Sequence, residues 1–275
     1  MSCECMQPLI RVESLRKHYR DGRVLGSGHI VSAALNEVSF SIAPGSTLAL
    51  VGESGSGKST LALCLACLER PTSGRIWFGG RNIAALDEKQ LRAVRPQIQL
   101  VFQDPASSLN PRLTALEIIT EPLLLQQSWN RRETQERGFA LLERVGLSPE
   151  MASRRAGEVS GGQRQRLAIA RALSLEPKLL ILDEALSALD CSVQAQIANL
   201  LLELQSSFAL TYFFITHDLA MAAHLAEEIA VINRGRIVEQ GIPEKLLGSP
   251  EHEATRCLVA AMPQSIVTSH TPGAC

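Results

Sequence analysis

The chain has 275 residues, of which 45% are hydrophobic and 20% are charged, and its formal net charge is −1. This near-neutral balance excludes a global basic field that would draw the protein to nucleic acid or anionic lipid. No run of 18 apolar residues occurs, and the first 15 residues lack the basic and then apolar order of a secretory signal, so we expect a protein of the cytosol.

Strands and helices alternate along most of the chain. Strands are predicted at 9–14, 36–42, 46–52, 75–80, 97–102, 179–183, 211–216 and 228–233, and a hairpin turn with its return strand at 233–241. Helices are predicted from the end of a glycine loop to about Glu69, and at 87–94, 162–175, 191–206 and 218–226. Segment 46–52 is almost continuously apolar, which is typical of a parallel strand buried on both faces. The alternation predicts a parallel sheet covered by helices.

Three segments depart from this alternation. Residues 20–32 are rich in glycine and polar residues and are predicted to form a loop. From about Pro105 to Glu158 the patterns are helical, so we interpret this stretch as a mainly helical insertion. Residues 264–275 have no periodicity, and we expect them to be mobile.

Seven cysteines are scattered through the chain, an odd count that argues against a disulfide framework. Cys64 and Cys67 form a C-x-x-C pattern inside an apolar helical run. We predict that they are two small core residues on one helix face. Cys3 and Cys5 lie in an N-terminal segment that we expect to have no regular structure.

The most specific motif occupies residues 52–59, where GESGSGKS matches G-x-x-x-x-G-K-[ST] at every required position. Glycines allow the backbone to curl so that successive N–H groups point at a phosphate, and the helix that follows directs its positive end at the same anion. Lys58 is predicted to reach the β- and γ-phosphates of ATP, and the Ser59 hydroxyl to ligate Mg²⁺. The predicted nucleotide contacts are Gly52, Glu53, Ser54, Gly55, Ser56, Gly57, Lys58, Ser59 and Thr60. A chance match in a glycine-rich loop is the alternative, but the apolar strand before the motif and the helix after it argue against that.

Two adjacent carboxylates end the apolar strand 179–183. Asp183 is predicted to hold Mg²⁺, usually through water, and Glu184 to polarise the attacking water as a general base. Acids that merely decorate a helix start are the alternative interpretation. His217 follows the strand 211–216 and is either structural or a hydrogen-bond donor to the γ-phosphate.

These motifs, together with VSGGQ at 159–163 and the basic helix RQRLAIARAL that follows, resemble the nucleotide-binding domain of ATP-binding-cassette (ABC) transporters. The resemblance covers about residues 8–263. It implies an α/β fold of the P-loop NTPase ABC-ATPase class, with a mainly parallel core sheet (about 36–104 and 159–245), an antiparallel β subdomain and a helical subdomain (about 105–158). Val159 stands where the family usually has leucine.

The resemblance also implies roles for single residues. Tyr19 is similar to the aromatic residue that stacks on adenine, and Gln103 to the glutamine that senses Mg²⁺ and couples to the membrane subunit. Asp190 resembles the aspartate that links the two sites of a dimer, and His217 the family's switch histidine. The signature residues, which close over the γ-phosphate bound to the opposite subunit, are Ser160, Gly161, Gly162 and Gln163.

FQDPASSLNPRLT at 102–114 and the extension SPEHEATRCLVAAMP at 249–263 resemble the peptide/nickel importer group. The group usually reads DEPTSALD, whereas this chain reads DEALSALD, so both carboxylates are kept. The resemblance implies an ATPase that works with two permease subunits, at the cytoplasmic face of the bacterial inner membrane. It also implies a second ATPase subunit, with a heterodimer favoured over a homodimer, and indirectly a solute-binding protein. With only Cys257 and Cys275 in the extension, we expect no iron–sulfur cluster.

Cargo and direction stay open at this point. Peptides and nickel or other metal chelates both fit an importer of this group. The alternatives are the ATPase of a peptide export or resistance system, an ABC ATPase without a membrane partner, and a regulatory subunit that binds ATP without turnover. No nucleic-acid partner is expected.

Overall fold

The computed structural model describes residues 7–20, 30–104, 108–126 and 129–262. The chain divides into two compact units, the first formed within Met1–Leu91 and Thr211–Cys275 and the second within Arg92–Leu210. The predicted mobile tail at 264–275, the segment with Cys3 and Cys5, and most of the loop predicted at 20–32 lie outside the described residues.

The first unit contains two sheets and several helices. Its strands are β1 (Ile10–Arg20), β2 (Ile30–Ile42), β3 (Thr47–Val51), β4 (Ser73–Phe78), β5 (Arg81–Asn82), β8 (Thr211–Thr216), β9 (Glu228–Asn233) and β10 (Arg236–Gly241). Its helices are α1 (Lys58–Leu65), α2 (Glu88–Val94, which extends past the unit boundary), α7 (Leu219–Leu225), α8 (Pro243–Gly248) and α9 (Glu253–Ala260).

One sheet of the first unit is antiparallel, with strand order β2–β1–β4–β5. The pairing of β1 with β2 starts at Ile10 and Ile42 and continues, with register shifts, to Tyr19 opposite Ser32. Both strands are therefore longer than the predictions at 9–14 and 36–42. The predicted loop was wrong at its two ends, because cross-strand hydrogen bonds extend the ladder through residues whose own pattern is not strand-like.

The second sheet of this unit has β3 at its centre, paired in parallel with both β8 and β9, and β10 runs antiparallel beside β9. All five residues of β3 are buried, as the apolar run predicts for a strand covered on both faces. A turn leads into β3: Gly45 has φ +74°, and its N–H donates to Thr211 Oγ1 at 2.8 Å, which ties the turn to the start of β8.

Helix α1 ends at Leu65 rather than near Glu69. The reason is Cys67, which has φ +57° and ends the helix in the left-handed region. Cys64 lies in α1, and burial raises its pKa to about 12, so its thiol stays protonated as expected of a core residue. Cys67 is half-buried and lies past the end of the helix, so the prediction that both cysteines share a helix face was wrong for Cys67.

The described part of the second unit has two parallel strands and four helices beyond α2. Its remaining elements are β6 (Ile98–Val101), α3 (Ala115–Gln126), α4 (Arg131–Arg144), α5 (Gly161–Leu173), β7 (Leu179–Asp183) and α6 (Cys191–Phe208). Helices α3 and α4, together with two short 3₁₀ turns, lie in the segment predicted to be a helical insertion. Asn130 and Glu133 form a reciprocal capping box that starts α4. Among all described residues, no helix has the length and apolar character to cross a membrane.

The predictions did not include α8 and α9, which follow β10. The carboxylate of Glu239, on β10, accepts hydrogen bonds from the backbone N–H groups of Glu251 and His252, at 3.0 and 2.9 Å. Burial acts to raise the pKa of Glu239, but these hydrogen bonds, together with the Thr255 hydroxyl and the charge of His252, outweigh it and lower the pKa. Glu239 thereby fixes the start of α9, whose first turn is capped by His252 Nδ1.

Candidate functional site

The phosphate loop connects β3 to α1 in the first unit. Gly57 is the N-cap of α1 with φ +108°, and Gly55 has φ +79°, so both need the freedom of glycine. A Cβ at Gly52 would overlap the carbonyl oxygen of Ile232, and one at Gly57 the carbonyl oxygen of Ala34. The loop therefore runs so close to neighbouring backbone that only glycine fits at these two positions.

Lys58 is the first residue of α1 and only 5% exposed. Its ammonium donates hydrogen bonds to the carbonyl oxygens of Gly52 and Glu53, at 2.8 and 2.9 Å. These bonds turn the long side chain back over the loop that precedes it. A buried ammonium folded back over a glycine loop at the start of a helix is an arrangement suited to a triphosphate.

The hydroxyl of Ser56 provides a test of whether the loop fits a phosphate. Ser56 is buried, and its Oγ has no hydrogen-bond partner among the residues that the structure describes. A buried hydroxyl without a partner is unfavourable, and an anion oxygen in the loop would satisfy it. The donor set of this loop, which comprises amide N–H groups, one ammonium and hydroxyls, therefore fits a nucleotide phosphate with its Mg²⁺.

His217 lies at the same edge of the sheet as the phosphate loop. Val51, the last residue of β3, is the register partner of Thr216, the last residue of β8. Gly52 and His217 therefore leave adjacent parallel strands at the same level, where ligands bind in open α/β sheets. The carboxylate of Asp218 caps α7 by accepting from the N–H groups of Ala220 and Met221, so the chain turns away directly after His217.

Tyr19 lies near the end of β1 and is 39% exposed. Lys17, two residues earlier on the same face of the strand, places its Nζ 5.0 Å from the centre of the tyrosine ring. An ion pair with Glu69 and a 2.8 Å hydrogen bond to the carbonyl oxygen of Arg70 hold the Lys17 ammonium. This contact was not predicted from the sequence, although the i, i+2 spacing of Lys17 and Tyr19 on a strand indicates that they share a face.

The second unit gathers the carboxylates and Gln103. Val101 of β6 is the register partner of Leu182 of β7, so Gln103 and the pair Asp183–Glu184 follow adjacent parallel strands. Asp183 is 9% exposed, and Glu184 has φ +47°, a left-handed conformation that is strained for a residue with a side chain.

Ser187 lies between Glu184 and Gln103, and sequence reasoning gave it no role. Its N–H and its hydroxyl both donate to the carbonyl oxygen of Glu184, at 3.1 and 2.9 Å. The Nε2 of Gln103 lies 3.4 Å from Ser187 Oγ. In the sequence this turn is indicated only weakly, by a serine three residues after Glu184.

The signature residues begin helix α5. Ser160 is its N-cap and forms a capping box with Gln163: Ser160 Oγ accepts from Gln163 N–H at 3.3 Å, and Gln163 Oε1 accepts from Ser160 N–H at 2.9 Å. A Cβ at Gly162 would lie 2.7 Å from a methyl group of Val193. Because Gly161 and Gly162 have no side chains, the backbone N–H groups of the first turn of α5 are left largely uncovered. They lie at the positive end of a 13-residue helix.

Asp190 is the N-cap of α6 in the same unit. Its carboxylate makes no hydrogen bond with the described first turn of that helix, unlike the caps of α4 and α5. The side chain is exposed.

A family model described as ABC transporter matches residues 35–187. A probable peptide ABC transporter ATP-binding protein from Sinorhizobium fredii is 53% identical over 256 residues, which are 93% of this chain and 72% of that protein. The dipeptide transport ATP-binding protein DppF of Escherichia coli is 42% identical over 258 residues, which are 94% of this chain and 77% of that protein.

Two solved structures show the same fold. The dimeric structure of an ATP-binding cassette in a post-hydrolysis state, bound to ADP and Pi, has a TM-score of 0.75 and 30% identity, and the match covers 85% of this chain and 98% of that one. The cbiO1 protein of Clostridium perfringens, part of an ABC transporter complex, has a TM-score of 0.79 and 28% identity, with 96% of this chain and 99% of that one covered. These matches confirm the predicted fold class.

Proposed function

The chain belongs to the ABC transporter family, and we propose that it is the ATP-binding and ATP-hydrolysing subunit of an importer that takes up peptides across the cytoplasmic membrane. The observation that carries the proposal is the phosphate loop, where a buried ammonium and a buried hydroxyl without a described partner converge on a glycine cradle. In this proposal the ATPase core comprises residues 36–104 and 159–245, and the helical subdomain comprises residues 105–158.

The reaction is the hydrolysis of ATP to ADP and phosphate. The loop amides and Lys58 bind the β- and γ-phosphates, and the hydroxyl of Ser56 donates to one of their oxygens. Mg²⁺, when bound, supplies charge neutralisation at the phosphate oxygens, and the residues proposed to hold it are Ser59, Gln103 and Asp183.

Glu184 orients the water that attacks the γ-phosphorus and accepts its proton as the phosphorus–oxygen bond to ADP breaks. His217 donates a hydrogen bond to the γ-phosphate. Tyr19 stacks on the adenine ring through the face that Lys17 does not cover. These roles rest on the family motifs and on the exposure and placement of the side chains described above.

A second ATPase subunit completes the site. The N–H groups at the start of α5, with Ser160, bind the γ-phosphate held by the opposite subunit, and the exposed carboxylate of Asp190 contacts that subunit. We propose a heterodimer, because ATPases of the peptide/nickel group usually work in unlike pairs. Hydrolysis and phosphate release remove the shared anion, and the pair opens.

A groove in the second unit is the proposed contact with a permease subunit. It has a volume of about 180 Å³ and lies beside Gln103, with Phe102, Leu109, Pro122, Leu125 and Arg171 among its lining residues. Phe102 and Leu125 are 41% and 78% exposed, so two large apolar side chains of the groove face solvent. The groove adjoins the glutamine that, by resemblance, couples to the membrane subunit, so we place a short permease segment in it, with the solute-binding protein on the far side of the membrane.

The proposed cargo is a peptide. The similar proteins from Sinorhizobium fredii and Escherichia coli carry "peptide" or "dipeptide" in their names, which favours a peptide over a nickel chelate. The test is reconstitution of the ATPase with its partner ATPase and the two permeases in liposomes. ATP-dependent uptake of labelled dipeptides is expected. If the complex took up a nickel chelate and no dipeptide, the proposed cargo would change from a peptide to a nickel chelate. A complex that hydrolyses no ATP would overturn the proposal as a whole.

A further inference from the structure

Two hydrogen bonds from Ser187 hold the backbone carbonyl of Glu184. Glu184 has φ +47°, a conformation that a residue with a side chain keeps only when surrounding bonds enforce it. Ser187 supplies two such bonds to one atom, since its N–H and its hydroxyl both donate to the Glu184 carbonyl oxygen. Any turn of this kind has the N–H bond, whereas the hydroxyl bond depends on serine at this position.

The same hydroxyl also contacts Gln103. A serine hydroxyl has one proton and two lone pairs, and its proton is directed at the Glu184 carbonyl. It is therefore left to accept from Gln103 Nε2, at 3.4 Å, which is longer than the usual 2.7–3.2 Å for such a bond. The link from Gln103 to Ser187 is thus weak enough to form and break with a small movement of Gln103.

Resting on the proposed function, we infer that Ser187 is a positioning residue that ties Gln103 to the backbone of the general base Glu184. Movement of Gln103, beside the proposed permease groove, changes the hydrogen bond that Ser187 receives. Because hydrogen bonds in a chain polarise one another, the bond that Ser187 donates to Glu184 changes with it. Contact with the permease is thereby passed to the group that orients the attacking water.

The departure from the family pattern makes this link more important in this chain. In DEPTSALD a proline follows the base, and the residue before a proline is itself restricted in φ and ψ. Here Ala185 follows Glu184 and imposes no such restriction. The hydroxyl of Ser187, which is bonded to the Glu184 carbonyl oxygen, adds a restraint on that backbone that the following residue does not supply.

The test compares Ser187→Ala with Ser187→Thr, which keeps the hydroxyl, in the complete complex with partner ATPase and permeases. We expect Ser187→Ala to lower the permease-stimulated kcat on the order of tenfold, equivalent to about 1.4 kcal/mol, with KM for ATP unchanged. Ser187→Thr should recover most of the rate. A serine with only a structural role would not produce this separation of kcat from KM together with rescue by threonine.

The second arm is a double-mutant cycle with Gln103→Ala. If the two residues act through their contact, Ser187→Ala lowers kcat by a smaller factor in the Gln103→Ala background than in the wild type. Equal factors in both backgrounds, an unchanged kcat in Ser187→Ala, or failure of threonine to restore the rate would each overturn the inference. ATP hydrolysis by the wild-type complex is measured first, because its absence would reject the proposed function instead.

Discussion

Two glycines of the phosphate loop form a matched pair for a stability experiment. Gly55 and Gly57 both have positive φ, so alanine at either one carries a left-handed backbone penalty of ~1–2 kcal/mol. A Cβ at Gly55 would meet no described atom within 4 Å apart from its chain neighbours. At Gly57 it would overlap the carbonyl oxygen of Ala34 and lie 3.2 Å from Leu35 Cδ2.

The difference between the two variants follows from that overlap. Forcing an extra carbon into a packed site costs ~1–3 kcal/mol, so we expect Gly57→Ala to lower the free energy of unfolding by about 2–5 kcal/mol and Gly55→Ala by about 1–2 kcal/mol. Because relief of the overlap moves the loop away from its neighbour, Gly57→Ala should also weaken ATP binding by at least about tenfold, or ~1.4 kcal/mol.

The assays are urea unfolding of the purified subunit and titration with a fluorescent ATP analogue. Equal destabilisation by the two substitutions would refute the reasoning, since the overlap at Gly57 would then have no energetic effect. So would a Gly57→Ala protein that is destabilised as expected but binds nucleotide like the wild type, because the loop geometry would then not govern phosphate binding.

Four further predictions follow from the site and its surroundings. Glu184→Gln should bind ATP and still pair with its partner subunit but lower kcat by roughly 10²–10⁴-fold, and undiminished turnover would remove Glu184 from its role as base. Tyr19→Ala should weaken ATP binding about tenfold without a matching loss for inorganic triphosphate, because base stacking contributes ~1–3 kcal/mol; an equal loss for both ligands would argue against an adenine contact. Leu125→Glu should abolish permease stimulation of the ATPase, whereas Leu124→Glu, on an exposed neighbour that does not line the groove, should not; equal behaviour of the pair would reject the groove. Since the folded-state pKa of Glu239 is lowered, its stabilising effect is present above its unfolded pKa and is lost as pH falls through the folded pKa. The melting temperature of Glu239→Gln should therefore fall less than that of the wild type on acidification to about pH 3, and parallel curves would contradict this.

The parts of the fold that could be predicted are those with a local pattern. The apolar run at 48–51 has no polar residue to face solvent, so it could only be a strand covered on both sides, and it is. The GESGSGKS spacing likewise carries its own geometry, because a helix must begin where the lysine stands, and α1 begins at Lys58.

The parts that could not be predicted depend on pairing between distant residues. The outer half of β1, around Tyr19, contains basic and polar residues. It forms a strand because it pairs with β2, where Ser32 lies opposite Tyr19. The contact between Gln103 and Ser187 joins residues 84 positions apart and exists because β6 and β7 are in one particular register. The residue-by-residue roles at the site stay predictions until the variants above are measured.

The reciprocal cap at Ser160 and Gln163 has a consequence for the kinetics of subunit pairing. Since each side chain is already fixed by the other, few rotamers would remain to be frozen if, as proposed above, this surface binds the phosphate of an opposite subunit. The entropic penalty for ordering this surface is met during folding and is not repeated at each catalytic cycle. Closure of the pair should then be governed by nucleotide occupancy and by the permease, with no slow rearrangement of the signature helix.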